Sequence, residues 1–165
     1  MIMKKFFAIA MALAMMLSLA ACSEGGATTA PAPAPALTDI NEIYEATVNG
    51  VEMPEMIALD AELMLDLCGI EQANYKQGVV YICSNSLQAD EIWVLEATNA
   101  DAMAALKTQA QARLDQKNAE SITYSPEQNA VVKAAQVIQI GDFLVMLVSP
   151  QVETLAGNLR TAMGQ

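Results

Sequence analysis

The sequence predicts an α+β domain, in which an antiparallel sheet of about four strands from two hairpins carries packed helices. Two pairs of strand-like apolar segments are each joined by a short loop, and such connections favour antiparallel neighbours. Capped segments with helical spacing stand before, between and after these pairs. The predicted order is α-α-β-β-α-β-β-α, and residues 37–165 have the usual size of a single domain.

The first two predicted elements are short amphipathic helices. In LTDINEIYEATVNGV, Thr38 is the expected N-cap and Gly50 fits the end of the helix. In LDAELMLDLCGI, Asp60 is the expected N-cap and Gly69 ends the helix. The residues expected on the buried faces are Ile40, Ile43, Tyr44 and Thr47 in the first helix and Leu63, Met64 and Leu67 in the second.

A hairpin and a long helix are predicted next. The segments GVVYICSN and DEIWVLEAT are rich in β-branched and aromatic residues, and a loop from Ser84 to Ala89 separates them. The helix NADAMAALKTQAQARLDQK follows, and Ser125-Pro126 then predicts a cap with proline at the first position of a short helical turn. The residues expected on the inner face of the long helix are Met103, Leu106, Ala110 and Leu114.

A second hairpin and a final helix complete the domain. The segments AQVIQI and FLVMLV flank Gly141-Asp142, which is typical of a two-residue hairpin turn with glycine first. Ser149-Pro150 then opens a helix. Its expected inner face consists of Val152, Leu155, Ala156, Leu159 and Met163.

Two predicted strands are apolar without a break, from Ile92 to Leu95 and from Phe143 to Val148. A strand covered on one face alternates apolar and polar residues, so part of this sheet is expected to be buried on both faces. Either helices cover both faces, or a partner, a second copy or an apolar ligand covers one of them.

The first 21 residues have the layout of a secretory signal peptide. Lys4 and Lys5 give a positive start, residues 6–17 are all apolar, and small residues lead to Cys22. The apolar stretch is shorter than the roughly 18–20 residues that a membrane-spanning helix needs.

The four residues LAAC that end at Cys22 resemble the lipobox of bacterial lipoproteins. The resemblance implies removal of residues 1–21 and a thioether-linked lipid on Cys22, where acyl chains of the palmitate type give stable anchoring when two are present. Residues 22–36 then form a tether, because their alternating Ala-Pro favours an extended polyproline II conformation.

Composition excludes several classes of function. The net charge is −11, with no basic stripe, so the surface repels phosphate backbones and no nucleic acid partner is expected. The chain has no histidine, which removes the commonest general base and transition-metal ligand. No nucleophile elbow, phosphate loop, dinucleotide fingerprint or EF-hand loop occurs, so neither a cofactor nor a metal is expected.

Carboxylates, thiols and aromatic rings are the remaining candidates for chemistry. Asp90-Glu91 is the most suggestive acidic pair, although adjacent residues of a strand point to opposite faces. Cys68 and Cys83 could form a disulfide outside the membrane or remain as two buried free thiols. The candidate interaction residues are Tyr81, Trp93 and Tyr124, whose rings could stack on sugars or anchor a peptide, although Trp93 lies in an apolar run that favours the core.

The domain also resembles a known family, the domain of unknown function 4358. The resemblance is carried by the segments LDAELMLDLCGI, SNSLQADEIWVLEA, YSPEQNAVVKAA and IGDFLVMLVS, which span most of residues 59–149. Because the family occurs mainly in short lipoproteins and has no assigned activity, the resemblance implies location and fold more than function.

The sequence therefore predicts a non-enzymatic lipoprotein, anchored through Cys22 to the outer, extracytoplasmic face of the cell membrane, that acts as a binding or assembly module. Its expected partners are membrane lipid, an unidentified protein or small ligand, and a second copy through self-association of the sheet. The alternative is a cell-envelope hydrolase that uses paired carboxylates, which requires two carboxyl groups to converge in a cleft with a raised pKa.

Overall fold

The computed structural model of the chain describes residues 36–165. The predicted signal peptide, the anchor Cys22 and nearly all of the tether lie outside the described residues. The described part confirms the predicted α+β class, with helices packed on an antiparallel sheet.

Five α-helices and five strands make up the described part, in the predicted order but with additions. A short strand precedes the second helix, and the predicted turn after Ser125 is a full helix of two turns. The bounds are α1 Ile40–Val48, β1 Met56–Ala58, α2 Ala61–Cys68, a 3-10 turn at Gln72–Asn74, β2 Tyr75–Cys83, β3 Glu91–Ala97, α3 Ala100–Tyr124, α4 Pro126–Lys133, β4 Gln136–Ile140, β5 Phe143–Val148 and α5 Val152–Ala162.

The sheet has the strand order β1-β2-β3-β5-β4, and every neighbouring pair is antiparallel. The two predicted hairpins are β2–β3 and β4–β5, and they meet where β3 pairs with β5. Helices α3 and α4 make the connection between the hairpins. Strands β1 and β4 are consequently the two edges of the sheet.

Helices cover both faces of the sheet, which explains the unbroken apolar strands. Because successive residues of a strand point to opposite faces, β3 and β5 supply side chains to two cores. The core under α2, α3 and α4 includes Met64, Trp93, Leu95, Leu106, Val132, Leu144 and Met146. The core under α1 and α5 includes Ile43, Ile92, Val94, Val145, Leu147, Leu155 and Leu159.

Most helix ends agree with the capping residues in the sequence. The side chain of Asp60 accepts the backbone N–H of Leu63 at 2.9 Å, and Gly69 ends α2 with a φ of 69°. The predicted cap of α1 is wrong by one residue. Asp39, not Thr38, accepts from the first turn, because its carboxylate reaches two backbone N–H groups.

The predicted inner face of α2 is wrong in part. Met64 and Cys68 are buried, whereas Leu63 and Leu67 keep 41% and 43% of their surface exposed. A helix of two turns meets the sheet along a single narrow row of residues spaced by four, so residues beside that row face outward. Apolar periodicity alone does not distinguish the row from its flanks.

Candidate binding site

A cleft of about 470 Å³ opens between the β2–β3 loop, the second half of α3 and α4. Its lining is mixed, with hydroxyl and amide side chains beside a larger apolar part. Leu87, at the tip of the loop, exposes 76% of its surface and is the most exposed large apolar side chain among the described residues. The residues that line the cleft include Leu87, Gln88, Lys117, Glu120, Gln128 and Val132.

The β2–β3 loop has a defined conformation because its own polar groups are bonded. The side chain of Asn85 accepts the N–H of Leu87 at 3.0 Å, and its carbonyl accepts the N–H of Gln88 at 2.9 Å. Asparagine stabilises turns in this way. At the end of the loop the N–H of Ala89 donates to the Gln128 side chain of α4 at 2.7 Å, which joins two walls of the cleft.

Helix α4 is hydrogen-bonded to α3 through a buried asparagine, Asn129. The Asn129 amide donates to the side-chain oxygen of Asn118 at 2.8 Å and to the Ser121 hydroxyl at 3.1 Å. Ser125 caps α4 through its contact with the N–H of Gln128, and Pro126 follows at the first helical position. Helix α4, which forms one wall of the cleft, is therefore held in place by polar contacts with α3 and by the packing of Val132 in the core.

A buried ionic network connects the cleft to the sheet. Glu91 at the start of β3 is fully buried, and its carboxylate accepts from Trp93 Nε1 at 2.8 Å, Arg113 Nη2 at 2.9 Å and Lys117 Nζ at 2.8 Å. Arg113 is bidentate, because its Nε also donates to Glu91 at 3.0 Å. Its Nη1 donates to the carbonyl of Leu67, so the network joins α2, β3 and α3.

The network keeps Glu91 ionised despite its burial. Burial by itself raises the pKa of this carboxyl, but the hydrogen bonds from Arg113 and the charge of Lys117 outweigh it, and the pKa of Glu91 is lowered. Burial disfavours the charged form of Arg113, yet its hydrogen bonds to Glu91 raise the pKa of the guanidinium. Lys117 is thereby held at the cleft wall by a carboxylate that it shares with Arg113.

The neighbouring carboxyl, Asp90, has the opposite shift. Burial raises the pKa of Asp90, and a hydrogen bond from Ser149 and the charge of Lys117 oppose that rise. The two adjacent acids therefore differ in their environments, and neither lines the cleft.

Cys68 and Cys83 are both buried and are free thiols. The Cys68 thiol lies 3.9 Å from Glu91, whereas the Cys83 thiol donates to Gln88 at 3.1 Å. Burial first, and the adjacent charge of Glu91 second, raise the pKa of Cys68 to about 12. A thiol with such a pKa is a poor nucleophile at neutral pH, since the thiolate is the reactive form.

The three aromatic candidates do not form one exposed cluster. Trp93 is completely buried, so its candidacy as an interaction residue is corrected: its ring packs in the core and its N–H bonds to Glu91. Tyr81 is half-buried and stacks on Tyr44 of α1, with ring centroids 3.9 Å apart and an angle of 13° between the planes. Tyr124 ends α3, and its side chain lies outside what the structure describes.

Sequence reasoning missed the basic residues of the network, although a signal was present. Arg113 and Lys117 continue the helical spacing of the core residues Met103, Leu106 and Ala110, so they lie on the inner face of α3. Two cations on an inner face need an anion beneath them. Glu91, at the head of an unbroken apolar strand, is that anion.

The fold and the cleft define a class of protein: a small α+β domain, helices on both faces of the sheet, with a ligand-sized cleft at one end of its central hairpin. Among residues 36–165, no group of three potential metal ligands occurs and no helix is long and apolar enough to cross a membrane. The family model described as Domain of unknown function (DUF4358) matches residues 49–149, and the chain belongs to that family. No curated protein and no solved structure was found to match the chain.

Proposed function

We propose that this chain is a lipoprotein held by Cys22 at the outer face of the cell membrane, where its domain binds a neutral ligand in the cleft beside α4. The signal-peptide layout and the residues LAAC support the anchor. The cleft supports the binding role, and it is the observation on which the proposal depends.

The volume and the rigidity of the cleft are those of a ligand site. At about 470 Å³ it falls in the range of small-molecule pockets. Its walls are joined by the bond from Ala89 to Gln128, and one wall is anchored in the core through Glu91. Such preorganisation lowers the entropy that a ligand loses on binding.

The chemistry of the lining favours a neutral ligand that carries both apolar surface and amide or hydroxyl groups, such as a peptide. Gln88 and Gln128 offer amide groups, and Leu87 offers an apolar contact at the rim. Arg113 and Lys117 share the single carboxylate of Glu91, and Glu120 in the lining supplies a second negative charge, so these four charges sum to zero. A strongly ionic ligand therefore finds no matching charge there.

The carboxylate hydrolase alternative is not supported by the position of its expected acidic pair. A hydrolase of that kind pairs an acid of raised pKa with a carboxylate in an open cleft. Asp90 and Glu91 are both buried, and Glu91 is bound by Arg113 and Lys117. We therefore do not propose hydrolysis.

The anchor is tested by mass spectrometry of the protein from membranes of cells that produce it. We expect an amino terminus at Cys22 carrying a diacylglycerol thioether, and we expect Cys22→Ala to release the protein from the membrane fraction. The matched control is Cys68→Ala, which changes a buried thiol and leaves membrane attachment intact. An unprocessed leader or an unmodified Cys22 refutes the anchor.

The cleft is tested by placing a photo-crosslinking amino acid at Leu87 in the membrane-attached protein. Leu65 on α2 is the matched control, because it is an exposed leucine at 48% of its surface and does not line the cleft. We expect an adduct of reproducible mass from Leu87 and none from Leu65. Equal adducts at both positions, or none at either, contradict binding in the cleft.

A further inference from the structure

The two edges of the sheet differ in how well they are protected from pairing with another strand. Strand β1 has only three residues, and Pro54 and Glu55 precede it. Short length, proline and charge are the devices that keep an edge from pairing. Strand β4 has five residues, Gln-Val-Ile-Gln-Ile, and contains neither a charged residue nor a proline.

The backbone of β4 presents unpaired groups along this edge. Ile140 lies opposite Phe143 across the Gly141-Asp142 turn, so the residues of β4 that bond to β5 are the even-numbered ones. The N–H and C=O groups of Val137 and Gln139 therefore point away from the sheet. Within residues 36–165, no hydrogen bond to these groups is found.

The sequence of β4 is complementary to itself. In an antiparallel pair centred on Ile138, Val137 lies opposite Gln139 of the other copy, and both residues have their backbone groups directed outward. Each such pair exchanges both N–H···O bonds. The two Ile138 side chains meet on the face covered by α1 and α5, where Ile138 already packs against the core.

The absence of charged residues from β4 also suits a second copy. The strand itself is uncharged, so the strongly acidic chain meets its copy along an edge without like-charge repulsion.

From this edge we propose that the protein forms a symmetric dimer in which β4 pairs antiparallel with β4 of a second copy, giving one continuous sheet. The inference goes beyond the proposed ligand cleft and does not depend on it. A five-residue edge alone makes a small interface, and confinement of both copies to one membrane surface raises their effective concentration.

Cysteine cross-linking of the full chain in the membranes of producing cells tests the register. Ile138→Cys places identical thiols opposite each other, and we expect a disulfide-linked dimer on a non-reducing gel. Ile57→Cys on the other edge strand is the control, because Ile57 exposes 48% of its surface. The chain without an added cysteine gives the background. No dimer above background, equal cross-linking at Ile57→Cys, or a product with the mass of a different protein overturns the proposal.

A second pair of variants keeps the test decisive if Ile138→Cys does not fold. Val137 and Gln139 are exposed, so cysteine at either position leaves the core untouched. We expect a short bis-maleimide, which forms a thioether with each thiol, to link Val137→Cys to Gln139→Cys when the two proteins are produced together. Absence of this linkage overturns the proposal. When Ile138→Cys does fold, adding Val137→Lys to it should abolish its cross-link, whereas adding Leu65→Lys should not. Linkage that survives Val137→Lys contradicts the proposed edge.

Discussion

At the scale of single residues, Glu91 has the largest energetic consequence in the described structure. It is completely buried, and its charge is balanced only by donors from Trp93, Arg113 and Lys117. A buried ion pair adds little net stability when compared with an apolar replacement, but removing one partner leaves an uncompensated buried charge. We therefore expect substitutions of Glu91 to destabilise the protein. The sequence alone did not identify Glu91 as the partner of Arg113 and Lys117.

We expect Glu91→Gln to lower the free energy of unfolding by up to about 3–5 kcal/mol, because the partly buried cations Arg113 and Lys117 then lose their shared anion. Urea denaturation followed by Trp93 fluorescence measures the change. Glu45→Gln is the control, since Glu45 is exposed on α1 and changes stability by less than about 0.5 kcal/mol. A loss for Glu91→Gln no larger than that of the control contradicts the structural role of the network.

The same network predicts the response to acid. The pKa of Glu91 is lower in the folded protein than in the unfolded chain, so its stabilising contribution is present above the unfolded value of about 4.3. That contribution is lost as the pH falls through the folded pKa. The stability difference between wild type and Glu91→Gln should therefore shrink below about pH 4 and stay constant from pH 5 to 7. A difference that is independent of pH throughout would show that Glu91 is not ionised in the folded state.

A glycine in β2 is required by its neighbour across the sheet. A Cβ on Gly78 would lie 2.6 Å from Cδ2 of Leu95, which is fully buried, and 3.0 Å from the ring of Tyr75. We expect Gly78→Ala to destabilise the protein by about 1–3 kcal/mol, as overpacked cores do. Gly157→Ala in α5 meets nothing within 4 Å and should instead stabilise by up to about 1 kcal/mol. Thermal unfolding of the two variants compares them directly, and equal shifts would be inconsistent with the clash.

At the scale of elements, the cleft depends on how the β2–β3 loop is attached to α4. Ala89 donates its N–H to Gln128, and this is the bond that links the loop directly to α4. The helix is itself attached to α3 through Asn129. The loop is thus positioned by contacts from residues about 40 positions further along the chain.

We expect Gln128→Met to leave the fold intact and to loosen the loop, because methionine has a similar length but cannot replace the acceptor for the Ala89 N–H. Amide hydrogen exchange should then be faster at Ala89 by roughly tenfold, the equivalent of about 1.4 kcal/mol of lost protection. Gln136→Met is the control, because Gln136 bonds to Glu153 at the surface and not to the loop. Unchanged exchange at Ala89 would show that the loop is held by other contacts.

At the scale of the whole molecule, the two cores share the strands between them. Trp93 and Leu95 face α3, whereas the alternate residues Ile92 and Val94 face α1 and α5. Because β3 and β5 contribute alternate residues to both cores, loss of packing in one core disrupts the strands on which the other core is built. We therefore expect the domain to unfold as a single cooperative unit.

Two probes on opposite faces of the sheet test this expectation. The protein has one tryptophan, Trp93, whose fluorescence reports on the core under α3. The stacked pair Tyr44 and Tyr81 reports on the other face through near-ultraviolet circular dichroism. We expect both signals to change with the same midpoint in urea. Separate midpoints would mean that the two cores unfold independently.

Much of the fold was predictable because its signals are local. Asp60 and Gly69 mark the ends of α2, and Gly141-Asp142 marks the second hairpin, since caps and tight turns depend on a few adjacent residues. The three-residue strand β1 was missed because a strand this short has no periodicity. Leu63 and Leu67 were assigned to the core because an apolar run gives no information about which side of a two-turn helix meets the sheet.

The sequence by itself determined the class of fold and the order of most of its elements, because both depend on composition and spacing within short segments. Only the tertiary structure decided the strand order, the partners of Glu91 and the cleft between the loop and α4. Each of these brings together residues far apart in the chain, and their proximity follows from how two hairpins and five helices pack around one sheet.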